Sequence, residues 1–365
     1  MAKRARVWLG CLADEPTPPE SLNALRELCE RVAVVPVGAR SRWVRAGFSL
    51  LTGASLSEGL FSSGELRSTL RQWCREAEFA TVVISSSALV PYLRDPAIAK
   101  IPAVVDLIDV DSQKWLDFAA ASRVPKKWLY KLEAARVRKV ERSLAGRVRA
   151  ATVVSRAEAN VYDSFTHTGA ATVATNGVDL DYFAPVEGEQ QLACAFVGAL
   201  DYMPNEDAAI WFAKEIWPAI HARFPTAEFR IIGRRPTPAV QALAAIPGVN
   251  IVGQVPDVRP AVASAAVVVV PLRLARGVQN KVLEAMAMAK AIVAAPPALA
   301  ALNTTNHVHL IAAATPQEWV DRVSELFTNE ARRRELGHAA REYVETHHHW
   351  ERCLQPLLAE IVTSG

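Results

Sequence analysis

The sequence predicts an α/β protein built from two doubly wound parallel sheets, and three features carry that expectation. Short apolar runs alternate with helical stretches along the chain, the pattern of strand–helix–strand units whose parallel strands are covered on both faces. The alternation breaks once, from Pro185 to Gln191, in a stretch of Pro, Gly and polar residues without periodicity, and then restarts. In the second half, glycines stand at the ends of strand candidates or just beyond them, at Gly198, Gly233, Gly253 and Gly277, where the carboxyl edge of a parallel sheet meets its ligands. With 365 residues, 51% of them hydrophobic, the chain is long enough for two packed domains. The expected division is 1–184, a linker over 185–191, a second domain over 192–346, and a C-terminal helix within 347–365 that packs back on the first domain.

Taken in order, Arg6 to Leu12 and Arg31 to Val37 are strand candidates flanking a helical pattern from Ser21 to Cys29. Arg42 to Leu51 is short, apolar and basic, presenting Trp43 and Phe48 to either a core or lipid. Thr81 to Ser85 and Pro102 to Val110 read as buried strands. The second runs into Asp109-Val-Asp111, a D-x-D pair that suits either a divalent cation or the capping of a helix at a strand's carboxyl end. Two carboxylates are too few for a metal site, and none is assigned. The basic helix from Pro125 to Leu144 has Trp128, Leu132, Ala135 and Val140 along one side and cations around the other. From Arg123 to Arg149 ten cations stand against Glu133 and Glu141, a net +8 that leaves −5 for the remainder of a chain totalling +3. That face is either solvated or docked on an anionic membrane surface, where each basic residue adds about 1 kcal/mol. Thr152 to Ser155 and Ala171 to Ala174 are short strands around a helix from Arg156 to Tyr162, and Thr175 to Asp179 forms a turn in which Gly177 tolerates positive φ.

In the second half, Ala193 to Val197 is a strand ending at Gly198, followed by Asp201-Tyr-Met-Pro-Asn205 and a helix burying Ile210, Ala213, Trp217 and Ile220. Strands at Glu228 to Gly233 and Asn250 to Gly253 follow, then a loop from Gln254 to Arg259. Ala265 to Leu272 is wholly apolar, a buried parallel strand. Beyond it come a loop holding Arg276 and Gly277 and a helix that opens at Val278 or Asn280 and carries Lys281 and Glu284. The first helical amides lack internal partners and the helix dipole is positive there, so strand, glycine loop and helix start form an anion site. Arg276 and Lys281 add cationic side chains at the same end. Glu284, four residues after Asn280 on the same side, is placed to hold ribose hydroxyls. The plain alternative is an ordinary crossover with solvated polar residues. Strands at Ala291 to Ala295 and Val308 to Ala312 and helices from Arg332 to Glu345 and from Trp350 complete the chain. His347, His348 and His349 fall in the hinge between those helices, and neighbouring histidines diverge too far to gather one ion.

The net charge is too small to argue for nucleic acid, and the basic stretch lacks interleaved stacking aromatics. Five scattered cysteines without a C-x-x-C fit a reducing cytoplasm better than a disulfide framework. The apolar run before Cys11 is at the short limit for a signal peptide and lacks small residues ahead of the cysteine.

Four segments together resemble glycosyltransferase family 4, retaining enzymes of the GT-B architecture: Phe196-Val-Gly198 with Asp201-Tyr-Met-Pro-Asn205, Gly253-Gln-Val-Pro-Asp257, Gly277 through Glu284-Ala-Met-Ala287, and Asn176-Gly-Val-Asp179. Val105 to Trp115 further resembles the sugar transferases of exosortase-associated exopolysaccharide loci. The resemblance implies two Rossmann-like domains facing across a cleft, and a first domain that starts at the family's second strand, without its first βα unit. It implies a nucleotide-diphospho sugar as substrate, no cofactor and no metal. Glu284 matches the ribose-binding glutamate that ends an E-x7-E element, whose first glutamate is here Arg276. Gly277 and Val278 would face the donor sugar and diphosphate, Val255 the base, and Gly198, Gly233 and Arg234 the rest of the donor. The family's arginine and lysine after the first strand of this domain are Ala199 and approximately Asn205, so Arg276 and Lys281 are inferred to supply the charge. The family's histidine near Asp109 is absent, and its glycine and proline after the key helix are Ala289 and Ala291.

The implied reaction is retaining, metal-independent sugar transfer to a lipid-linked or glycan acceptor, with the departing phosphate deprotonating the acceptor. Arg276 and Lys281 would stabilise the diphosphate, and Asp109 or Asp111 would orient the acceptor. The alternatives are a sugar-nucleotide epimerase of the same architecture and a non-catalytic sugar-nucleotide-binding scaffold. The expected location is cytoplasmic, peripheral on the inner face of the membrane.

Overall fold

The computed structural model describes residues 1–2, 4–169, 171–186, 188 and 190–361. The chain divides into two compact units: residues 1–174 joined by the described C-terminal residues from Pro356 onward, and Thr175–Gln355. The division follows Ala174, ten residues earlier than the predicted 184. The final helix Gln355–Ile361 returns to the first unit, where Glu360 accepts from Thr172 Oγ1 at 3.2 Å. Residues 347–355, expected to leave with it, stay with the second unit. The predicted linker 185–191 is shorter at its end, because Gln191 already pairs as the first residue of a strand; Glu187, Glu189 and residues 362–365 lie outside the described residues.

The first unit holds two parallel sheets. Strands β1 (Trp8–Ala13) and β2 (Arg31–Pro36) pair with each other, and β3 (Val82–Ser85), β4 (Ala103–Ile108), β5 (Ala150–Val153) and β6 (Thr172–Val173) pair in sequence order. The core beneath the larger sheet joins Val105, Leu107 and Val153 to Val140, Tyr162 and Phe165. Arg42 to Leu51 is helical, within the helix Ala39–Leu51. In the helix Lys126–Arg142 the apolar residues predicted to share one side separate. Val140 is buried with Ala134 and Val137, whereas Trp128, Leu132 and Ala135 face solvent.

The second unit is one six-stranded parallel sheet formed by β7 (Gln191–Val197), β8 (Glu228–Ile232), β9 (Val249–Gly253), β10 (Ala265–Val270), β11 (Ala291–Ala294) and β12 (Ile311–Ala312). Its spatial order is β12-β11-β10-β7-β8-β9. The order reverses between β7 and β10, which makes their carboxyl ends the switch point where such sheets open a crevice. Every residue of β10 is buried, as its unbroken apolar run requires for a central strand covered on both faces. The helical stretch predicted after Asn205 is broken. Met203–Trp211 passes through a π turn over Phe212–Ile216 before Trp217–Arg223, because Pro218 has no N–H for the carbonyl of Lys214 and its ring would crowd it. Trp217 nevertheless stays fully buried, its Nε1 donating to Pro247 O at 2.9 Å. Among the described residues no helix is long and apolar enough to cross a membrane.

Candidate functional site

The carboxyl ends of β7, β8 and β10 in the second unit collect most of the predicted donor residues. Gly198 follows β7 and Gly233 follows β8, and these two chain ends touch. A Cβ on Gly233 would stand 1.7 Å from the carbonyl oxygen of Gly198, so no side chain fits there. A Cβ on Gly198 would in turn come within 2.8 Å of the Asn205 side chain and 3.0 Å of Lys281 Nζ. Bare backbone is thus exposed to an ammonium and an amide at the switch point.

Helix Asn280–Ala287 opens beside it. Gly277, in the left-handed region at φ 59°, turns the chain into the helix, and the Gln279 side chain donates to Arg276 O at 2.7 Å. Lys281 in the first turn is held from two sides. Its Nζ donates to Asn205 Oδ1 at 2.6 Å and lies 4.7 Å from the centre of the Phe196 ring. Asn205 itself is fixed by its Nδ2 donating to Ala199 O at 2.9 Å. Enclosure of the ammonium pulls its pKa down to about 8, against the pull of the Glu284 carboxylate. Glu284 lies one turn further along, its carboxyl raised by burial and drawn back by Lys281. Lys281 and Glu284 together line a shallow, partly open depression whose other walls are apolar, among them Phe183, Val258, Val270 and Met288.

A third strand of chain braces this helix start. Asn176 Nδ2 donates to Asn280 Oδ1 at 2.8 Å, and Asn176 O accepts from His348 Nδ1 at 2.8 Å. Gly177 lies so close to Trp350 that a Cβ would meet its Cα at 2.7 Å. His348 is therefore a buried support whose pKa is lowered by desolvation, while His349 accepts from the Glu351 amide at 3.4 Å to start the following helix. Of the three histidines read from the sequence as hinge residues, His348 holds the Asn176 turn against the site. Nothing in their spacing signalled this, because the contact spans 172 residues.

The remaining predicted donor residues sit further out. Val278 is buried. Val255 packs with Ile232 and Ala265 beneath the sheet edge, Arg234 is exposed with its carbonyl accepting from Leu200 N at 2.9 Å, and Arg276 is half-buried in the loop before the helix. The loop after β9 is anchored by Arg259. Its guanidinium binds Asp257 at 2.7 Å, donates to Tyr182 O at 2.9 Å and lies 3.8 Å from the centre of the Tyr182 ring.

Asp109 and Asp111 belong to the first unit, at the carboxyl end of β4. Asp111 starts helix Asp111–Ala120; its carboxylate accepts from Ser87 Oγ at 2.5 Å and pairs with Lys114. Asp109 is half-buried. Among the described residues no three His, Cys, Asp or Glu side chains gather as a metal site. The feature missed at this edge is Ile108, a β-branched residue held at φ 66° beside Asp106, whose carboxylate accepts from Thr152 Oγ1 at 2.8 Å. Such strain collects where a site is built, and no sequence pattern announces it.

Residues 191–329, most of the second unit, match the family described as Glycosyl transferases group 1. No curated protein matches the sequence. Among solved structures, Anabaena HepE in complex with UDP-glucose superposes with a TM-score of 0.68 at 12% identity, over 96% of this chain and 98% of that one. Sucrose-phosphate synthase from Thermosynechococcus elongatus gives 0.64 at 16% identity, over 82% of this chain and 76% of that one. TarM gives 0.65 at 13% identity over 82% of this chain, which spans 58% of TarM's length. At these identities the likeness is one of fold, that of the GT-B glycosyltransferases. Together with the group 1 match it supports a glycosyltransferase.

Proposed function

We propose that the protein transfers a sugar from a nucleotide-diphospho sugar to a lipid-linked or growing glycan acceptor in exopolysaccharide synthesis, with retention of configuration and without a metal. The observation that carries this reading is the enclosed ammonium of Lys281, set between the bare backbone of Gly198 and the first turn of helix Asn280–Ala287. A diphosphate laid there meets unpaired helix amides, the positive end of the dipole and a desolvated cation, and each grows in strength as charge builds on the leaving phosphate. Arg276 adds charge from the loop, and Glu284 takes the ribose hydroxyls. The backbone of Gly277 and Val278 faces the donor sugar and diphosphate, and Val255 lies towards the base. On the first unit, Asp109 or Asp111 orients the acceptor, and the departing phosphate takes its proton.

The test is a melting-temperature series with nucleotide-diphospho sugars, UDP-glucose first because Anabaena HepE is solved with it. A sugar nucleotide at a hundred times its Kd should add about 2.7 kcal/mol of stability. Lys281→Met, binding about a hundredfold more weakly, should cut that gain to about 0.4 kcal/mol at the same ligand concentration. A chain that no sugar nucleotide stabilises would not be a sugar transferase of this kind.

A further inference from the structure

We infer that the first unit carries a membrane-docking surface made of two helices, Ala39–Leu51 and the amino-terminal half of Lys126–Arg142, and that its occupant is an anionic lipid bilayer. The inference stands on that unit alone and is independent of the sugar chemistry of the second. Helix Ala39–Leu51 is amphipathic the wrong way round for a soluble protein. Trp43, Val44, Phe48 and Leu51 share one face and are turned to solvent, Phe48 being 64% and Leu51 83% exposed. The face turned inward is made of small and polar groups. Ala46 and Ser49 press on Gly59 so closely that a Cβ there would meet Ala46 Cα at 2.6 Å, and Ser49 Oγ bonds Ser55 O at 2.8 Å. The helix is thus fixed with its apolar side outward.

The second helix continues the same surface. Val124, Trp128 and Leu132 are exposed, Trp128 by 70%. The two helices are tied by Arg136, whose guanidinium donates to Leu50 O at 3.0 Å and to Ala54 O at 2.7 Å. Leu51 is next to one of those acceptors, and Leu132 is one turn before Arg136 on the same face. The tie therefore joins the two apolar stripes at their ends.

Charge selects the occupant. From residue 38 to 57 and from 118 to 132 the sequence holds cations and no carboxylate, with Arg123, Lys126 and Lys131 exposed beside Trp128. Three of the later cations of the basic segment are engaged within the fold, while Lys139, Arg147 and Arg149 stay exposed beyond the apolar stripe. Arg136 makes the tie, Arg138 stacks 4.7 Å from the Phe165 ring, and Arg142 donates to Phe165 O at 3.2 Å. The membrane surface expected over 123–149 is centred on the amino-terminal end of that helix, where cations and exposed apolar side chains coincide, and extends onto another. Exposed aromatic and aliphatic side chains rimmed mainly by cations, with Asp14 paired to Arg42 at 3.5 Å, match the acyl–headgroup boundary of an anionic leaflet. A second copy of this chain would bring the same cations together.

Co-sedimentation with phosphatidylcholine–phosphatidylglycerol vesicles, against phosphatidylcholine alone, tests this. The whole chain should bind the anionic vesicles and bind the neutral ones far more weakly. Phe48→Ser with Leu51→Ser should lower the partition coefficient by more than about tenfold, and Lys126→Gln or Lys131→Gln by about fivefold each. Brominated lipid should quench tryptophan emission, and less so in Trp43→Phe and Trp128→Phe. Melting temperature and nucleotide-sugar binding serve as folding controls, since every altered side chain is exposed. Absence of vesicle binding, binding unchanged in the Phe48→Ser, Leu51→Ser protein, or a solution dimer that this double substitution dissociates would each overturn the inference.

Discussion

Two buried lysines stand at opposite ends of one element, helix Asn280–Ala287, and the same burial leaves them with different work. Lys281 in its first turn and Lys290 just past its last are both pulled down to about 8 by desolvation. Lys290 is 3% exposed and its Nζ donates to Ala263 O, the carbonyl of a half-buried residue, at 2.7 Å. Lys281 keeps a partly open side chain, while its ammonium is enclosed by Asn205, Phe196 and Gly198 at the sheet's edge. A cation kept dry at an open edge waits for an anion; a cation kept dry in a core satisfies a carbonyl. The sharpest way to break the comparison is to replace each by methionine. Lys281→Met should weaken diphosphate binding about a hundredfold, the loss of one charge-assisted contact, and should change the melting temperature little, since relief of the enclosed cation is offset by the buried Asn205 Oδ1 it leaves without a donor. Lys290→Met should leave binding unchanged and gain little stability, because Ala263 O loses its charge-assisted donor. Calorimetric titration with a nucleoside diphosphate and thermal melts of both variants decide it, and equal binding losses would erase the distinction.

The pH dependence should separate the two lysines next. For ligand binding, the ammonium of Lys281 must be present. Above about 8 a proton must be taken up with the ligand, so affinity should fall up to tenfold for each pH unit. Lys281→Arg should flatten that slope, whereas Lys290→Arg should leave it in place. For stability the sign is opposite. A lysine whose folded pKa lies below its ordinary 10.5 weakens the fold most fully below pH 8. The penalty is relieved as pH rises from about 8 towards 10.5, because the unfolded chain then holds the extra proton. Each lysine should thus return up to roughly 3 kcal/mol across that window, and each methionine variant should remove its share of the rise.

Much of this half of the molecule is legible in the sequence. The apolar run 265–272, the glycines at the strand ends and the Gly277–Glu284 segment all obey local rules of period and turn chemistry, and the strands and key helix form where those rules place them. What escaped is non-local or depends on which way a helix is rolled. The pairing of Asn205 with Lys281 joins residues 76 apart, and His348 reaches Asn176 across 172. The outward roll of Trp128 follows from Glu133, whose carboxylate turns inward to accept from the amides of Leu56 and Ser57 at 2.6 and 2.9 Å. Periodicity alone gives no such direction. The helix Pro316–Thr328 was readable and not singled out: Thr315 and Glu318 form its capping box.

The smallest effect concerns the turn that separates the two lysines. Helix Asn280–Ala287 ends with Lys290 N donating to Ala285 O at 3.0 Å and Ala289 N to Met286 O at 2.9 Å, a Schellman closure that places Ala289 at φ 53°. Glycine normally fills that position, since a Cβ there opposes the following carbonyl by about 1 kcal/mol. The strain is local to the Lys290 end, eight residues from Lys281. Ala289→Gly should therefore stabilise the protein by about 1 kcal/mol at most, less the greater freedom of glycine in the unfolded chain. That corresponds to a rise in melting temperature of about 2–4 °C in a unit of this size. Nucleotide-sugar binding should not change. A variant that melts higher but binds the ligand less well would show that the two ends of the helix are coupled, and that the lysine at one end is not set independently of the turn at the other.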